Sequence, residues 1–402
     1  MSYIMTGTEL MKSGKRFSNA MWEYSWLLQR DGKQNEFADW DKVLDEVVER
    51  GYQCLRIDVF PHQIAAGKDG KIVDEFEHIP DFNFSWTRFE PVTYNPRKGL
   101  VEFMNKCKDR GIYVGLSTWL RHDTTHRELE VETAEDFARI WIETLDFLAE
   151  NDLLDGIAWV DLCNEFPTTS WVPALKEKII ETPDGRTEPR EVLLMETLTE
   201  ESQKKYADFM KRAITPVREK YPQLLYTFSM SAVDALEKMD YSCCDLVDVH
   251  IWATFNPDWA QGSSFLDVYL NMLPGNTKFT DGVQASTLMR HIEQAVKNYP
   301  QYKERIRQYF EKELKVWSAF AKKNDAILIT TESWSTVIYE DAFVNGALGE
   351  WEWVKDVAEM AINEALKDGW TSVCTSNFCE PQFEGMWSEV EWHKKMNELI
   401  QK

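Results

Sequence analysis

The chain has 402 residues, of which 44% are hydrophobic and 28% charged, a globular usage with ample material for a core rather than a disordered one. Its formal charge of −23, from 45 basic and 68 acidic residues, sets up a field that repels nucleic acid phosphates and anionic lipid headgroups and suits a neutral or cationic ligand. No apolar run reaches the ~18 residues of a membrane span, and MSYIMTGTELMKSGKRFSNA carries no signal-peptide pattern, so the expectation is a cytoplasmic protein with neither nucleic acid nor membrane as partner.

In chain order, the aromatic-rich Phe17 to Trp26 reads as a first strand and the loop that follows it. Asp39 to Arg50 places Trp40, Val43, Leu44, Val47 and Val48 at helical spacing before Gly51, and CLRIDV from Cys54 reads as a second strand. The same phrase returns as VEFMNKCKDR, Gly111 and IYVGLS, and again as EMAINEALKD, Gly369 and WTSVCTS. A helix, a glycine and a short apolar strand form the αβ turn of a parallel sheet.

Between these repeats, Thr133 to Asp136 predicts a helix cap before FARIWIETLDFLAE, and the apolar run from Ile157 predicts a strand. A helix to Lys220, strands at Leu225 to Ser229 and Asp245 to Ile251, a long helix over Met289 to Lys323, a strand from Ala326 and a last helix over Glu389 to Lys402 complete the pattern. Eight strand-then-helix units are the number that closes a TIM (β/α)8 barrel, an α/β fold in which residues 1–402 form one domain. Long loops near 60–95, 166–198, 256–286 and 333–349 all follow strands, on the face where such barrels build their sites.

The seven cysteines, Cys54, Cys107, Cys163, Cys243, Cys244, Cys374 and Cys379, show no C-x-x-C spacing and read as reduced core thiols, the adjacent Cys243 and Cys244 included.

Two stretches carry the chemistry. IAWVDLCNEFP, from Ile157 to Pro167, ends an apolar strand in Asn164 and Glu165, and AILITTESW, from Ala326 to Trp334, delivers Glu332 at the end of another. Two strand-end carboxylates brought to one barrel mouth suit glycoside hydrolysis, which needs an acid for the leaving oxygen and a second carboxylate for the anomeric carbon.

The patterns LRIDVF, VDLCNEFP, VDVHIW and ITTESW resemble the second, fourth, sixth and seventh strand signatures of the clan A glycoside hydrolases, particularly the family 5 cellulase-like proteins. The resemblance implies a retaining hydrolase of β-glycosidic bonds with Glu165 as acid/base and Glu332 as nucleophile. It also implies that Asn164 bonds the sugar 2-hydroxyl, that Arg56 orients Glu332 and that His250 lines the site. Two positions depart from that pattern. Trp252 stands where the family has a tyrosine that orients the nucleophile, and TSNFCEP replaces the eighth-strand tryptophan, with Phe378 or Trp387 as substitutes.

Among the seventeen tryptophans, Trp26, Trp86, Trp119, Trp171, Trp259 and Trp334 follow strands and could stack on pyranose faces, Trp119 and Trp334 foremost, although core packing is the commoner role for any one of them. Glu23, Asp58 and His62 are further candidates for sugar hydroxyls or for structural bonds. His122, Asp123 and His126 form either a metal cluster or a polar loop in which His122 contacts sugar. No metal or cofactor is expected. Two other readings stay open: a metal-dependent sugar isomerase or epimerase ligated by Glu165, His250, Glu332 and Asp248, against which Arg56 argues, and a sugar-binding barrel without turnover.

Overall fold

The computed structural model of the chain describes every residue except 1–2, 33–34, 79–90, 122, 168–178, 182–186, 190–199, 232–237, 273–282 and 336–350. The predicted αβ turns form as the sequence dictates. Helix α1 spans Gly7–Lys12, α2 Trp40–Arg50 and α3 Pro96–Arg110. The Asp39 and Asn95 side chains accept the Lys42 and Lys98 amides and so begin α2 and α3. Gly51 and Gly111 end them with φ of 85° and 71°, a left-handed turn that releases the chain toward the next strand. Helix α4, Ala134–Glu150, opens on the predicted cap as a reciprocal pair in which Thr133 accepts the Asp136 amide and Asp136 accepts that of Thr133. Helices α5 (Glu200–Lys220), α6 (Val283–Lys323), α7 (Trp351–Lys367) and α8 (Val390–Gln401) follow.

The strands are β1 Phe17–Met21, β2 Cys54–Asp58, β3 Tyr113–Ser117, β4 Ile157–Asp161, the split β5 made of Tyr226–Thr227 and Met230–Ser231, β6 Leu246–Trp252, β7 Ile327–Thr330 and β8 Ser372–Cys374. Each pairs in parallel with its neighbour in sequence, and β8 pairs with β1. The first piece of β5 pairs with β4 and the second with β6, so the ladder begins and ends on one stretch of chain and the sheet curls into a (β/α)8 barrel. Strand β5 was expected as one continuous run; the break at Phe228 and Ser229 turns Ser229 toward β4, where its amide and hydroxyl serve Asp161.

Strand residues are buried almost throughout, which requires cover on both faces. The end of the barrel opposite the site is filled by Leu10, Met11, Phe17, Trp159, Leu246 and Ile329 beneath α1. Gly115 makes that plug possible: a Cβ there would sit 2.1 Å from the Trp159 ring, so the indole occupies space that any other residue would claim. Cysteines are free throughout, and among the described residues no helix is long and apolar enough to cross a membrane.

Candidate active site

At the carboxyl end of the strands, charged side chains from β2, β4, β6 and β7 converge. Arg56 projects from β2 into the barrel without solvent contact, an arrangement that demands paired anions. Its Nη1 donates to Glu332 Oε1 at 2.5 Å, and its Nη2 faces Asp161 Oδ2 at 2.8 Å and Asn164 Oδ1 at 2.6 Å. The guanidinium also lies over the Trp119 ring, 4.6 Å from its centroid, so Trp119 walls the site from β3.

Glu165 and Glu332 meet across this cation. Glu165, His250 and Glu332 each present one ligand atom within 4.8 Å of the others, which brings a carboxylate oxygen of Glu165 that close to one of Glu332. Glu165 follows β4 with φ of 47°, a left-handed backbone held by its own amide to Ser229 Oγ and by the Phe166 amide to Ser229 O. The two carboxyls differ in access: the Glu165 side chain is 17% exposed and that of Glu332 1%.

Burial pushes the Glu165 carboxyl up to about 7, against the opposing hydrogen bonds from Ser231 and Trp252 and the charge of Arg56. Burial raises Glu332 as well, but the directly bonded Arg56 opposes it and favours its anion. His250 is held neutral, pushed down to about 4 by its loss of solvent. Its Nδ1 is 3.1 Å from Glu165 Oε1 and its Nε2 3.2 Å from the Thr331 hydroxyl.

Trp252 bonds Glu165, the candidate acid, rather than Glu332. The donor role of the family's tyrosine is thus not transferred to the indole; among the described residues, the charged group bonded directly to Glu332 is Arg56. Trp334 lies outside the cleft: it is fully buried, its Nε1 donates to Cys374 O at 2.9 Å and its ring meets Phe310 edge-on. Its surface is spent on packing, as is that of Phe378 between Trp351 and Phe383, and that of Trp387 against Tyr52. Trp26 and Trp259 are also buried, while Trp86, Trp171 and His122 fall outside the described residues.

The other polar candidates have structural partners. Asp58 accepts the amides of Phe60 and Trp119, and burial lifts it to about 6. His62 Nε2 bonds Arg121 O, Ser25 donates to Glu23, Asp123 accepts Gln63 and Thr125, and His126 faces Glu128. Among the described residues the cluster with metal-ligand spacing is Glu165, His250 and Glu332; of the three candidates in the loop after β3, His122 lies outside the described residues. A cation would have to share Glu332 with Arg56, which already occupies Oε1, so the donor set suits a metal poorly.

Sequence reasoning missed Asp161, Ser229 and Thr331, which support the charged residues from below, and Asn377. The Asn377 backbone amide bonds Ser333 O at 2.8 Å beside Glu332, while its fully buried side chain has no partner among the described residues on either Oδ1 or Nδ2. The signal for Asp161 was Arg56 itself, since an arginine inside a buried strand requires more than one carboxylate.

A family model described as sugar-binding cellulase-like matches residues 19–401. A crystal structure from Parabacteroides distasonis ATCC 8503, described as a candidate glycoside hydrolase, is 30% identical with a TM-score of 0.78, over 96% of this chain and 94% of that one. ZgEngAGH5_4 in complex with a cellotriose shares 13% identity and a TM-score of 0.51 over 100% and 99% of the chains. An endo-β-1,4-mannanase from Thermotoga petrophila shares 10% and a TM-score of 0.52 over 98% and 78%. The last two are similar in fold alone. No curated protein sequence matches.

Proposed function

The chain belongs to the sugar-binding cellulase-like family, and from that premise we propose that it is a retaining glycoside hydrolase that cleaves β-glycosidic bonds of an oligosaccharide or glycoside. The observation that carries the reading is the approach of Glu165 and Glu332 to within 4.8 Å, oxygen to oxygen, around a buried arginine. Retaining pairs stand ~5 to 5.5 Å apart, whereas inverting pairs leave ~6.5 to 9.5 Å for a water.

In the first step Glu165, protonated near neutral pH, gives its proton to the leaving oxygen while the Glu332 carboxylate attacks the anomeric carbon. In the second, ionised Glu165 takes a proton from water, whose oxygen displaces Glu332. The division follows from environment. Glu165 sits where its neutral form is favoured, and Glu332 bonds a cation that favours its anion. Asn164 accepts Arg56 on its oxygen, which fixes its side chain beside Glu165, where it would meet a sugar hydroxyl.

A panel of aryl β-glycosides tests the reading, with Glu332→Ala as the inactive control. Release of the phenol by wild type and its loss in the variant would support it; inertness of the wild type across the panel would favour a binding barrel.

A further inference from the structure

We propose that Asp248 is the far end of a proton relay that runs through Thr331 and His250 to Glu165, so that the two carboxyl groups hold one proton in common. This rests on Glu165 being the acid/base of the proposed hydrolase.

The path is continuous and dry. Asp248, Thr331 and His250 are fully buried. The Thr331 hydroxyl lies 2.7 Å from Asp248 Oδ2, and its amide donates to Oδ1 at 3.1 Å. The same hydroxyl is 3.2 Å from His250 Nε2, and Nδ1 is 3.1 Å from Glu165 Oε1. A threonine hydroxyl has one hydrogen and a neutral imidazole one, so the directions of these bonds are linked.

Only two arrangements satisfy every group. In one, Glu165 O–H donates to Nδ1, Nε2–H donates to Thr331 and Thr331 donates to ionised Asp248. In the other, Asp248 O–H donates to Thr331, Thr331 donates to Nε2 and Nδ1–H donates to ionised Glu165. Passage from the first to the second moves one proton at each link, breaks and makes only O–H and N–H bonds, and transfers a single charge from Asp248 to Glu165. The first arrangement arms Glu165 as the acid; the second makes it a base.

The surroundings bias the relay without lying on it. Arg56 from β2 and Asp161 from β4 act on Asp248, His250 and Glu165 alike, Glu332 after β7 acts on Asp248 and His250, and Ser231 and Trp252 bond Glu165, Ser231 at 3.3 Å. Burial raises Asp248 to about 8, near the value of Glu165, so neither end captures the proton outright.

The tautomer of His250 reports the relay without any substrate. Nitrogen-15 spectra of histidine-labelled protein distinguish Nε2–H from Nδ1–H, the His250 signals being assigned by their loss in His250→Asn. In wild type the tautomer ratio should change across the neutral range. Asp248→Asn should fix Nδ1–H, because an amide that accepts the Thr331 amide on oxygen must donate its nitrogen to the hydroxyl, which then turns to Nε2. That variant favours ionised Glu165, so the basic limb of kcat/KM should move down by about one pH unit. Thr331→Val should abolish the pH-dependent change of tautomer, and Thr331→Ser should restore it, which decides the matter even if Asp248→Asn fails to fold. A His250 tautomer indifferent to both Asp248→Asn and Thr331→Val would overturn the relay. Tautomer changes in a protein inert toward every aryl β-glycoside would uphold the relay and sink the hydrolase; cleavage with a fixed tautomer would do the reverse.

Discussion

Arg56 Nη1 stands 2.5 Å from Glu332 Oε1, and neither side chain has meaningful contact with solvent. The same guanidinium bonds Asp161 and Asn164, so one cation ties together three strands and both halves of the proposed catalytic machinery. Arg56→Met leaves two buried carboxyls uncompensated. The expected cost is ~3–5 kcal/mol, read by urea denaturation, together with loss of glycosidase activity. Arg56→Lys keeps the charge but lacks the fork, so it should retain more stability than Arg56→Met and still lose most activity. Equal stability of the methionine variant and wild type would contradict the arrangement.

The role of acid proposed for Glu165 requires its protonated form, and its carboxyl is lifted to about 7. Activity should therefore fall as pH rises through about 7, in the basic limb of kcat/KM. Glu165→Ala should cost ~10²–10⁴-fold with poor leaving groups and much less with activated aryl leaving groups, which need little protonation. Equal losses with both kinds of leaving group would remove Glu165 from the role.

Trp252→Phe tests the indole bond to Glu165. That bond favours the carboxylate, so its removal should raise the Glu165 pKa and shift the basic limb upward, opposite to the shift expected for Asp248→Asn. A limb that stays in place would show that Trp252 only packs.

The barrel was legible because its signals are local. Gly51, Gly111 and Gly369 mark helix ends, and Thr133 and Asp136 mark a helix start, each by chemistry that acts within a few residues. Glu165 and Glu332 stood out because a carboxylate that ends an apolar run has few structural uses. The supporting groups were harder to see. Asp161 and Thr331 lie within or directly beside apolar strands, where only three-dimensional closure shows that they face Arg56 and His250. Trp334 misled for the same reason: its place after β7 resembles a cleft position, yet its pairing beside Trp252 turns the ring toward Phe310.

Buried histidines set the acid limit of the fold. His250, His291 and His393 are all pushed down to about 4 by burial, and His393 is locked between Tyr52 and Met386 O. The unfolded chain binds protons at these sites from about pH 6.5 downward while the folded chain does not, so their contribution is complete above that pH and declines as pH falls toward 4. Glu165 and Asp248 act the other way: the folded state holds their protons longer, and stability drops as pH rises through about 7 and 8. Urea midpoints should therefore fall on both sides of a maximum, and His393→Leu should flatten the acid side. An unchanged acid slope in that variant would remove His393 from the account.

Asn377 separates stability from function. Its side-chain amide is buried without a partner among the described residues, beside the backbone of Ser333, one residue past Glu332. A buried primary amide with both atoms unpaired costs ~1–3 kcal/mol, a penalty that a ligand hydroxyl would remove. Asn377→Leu keeps the volume and discards the polar atoms. It should raise stability by ~1–3 kcal/mol in urea denaturation. If the amide meets the sugar, the same variant should lower kcat/KM by ~10-fold, the value of about one hydrogen bond. Greater stability with unchanged kcat/KM would make Asn377 a packing residue, and lower stability would show that the amide is satisfied in solution.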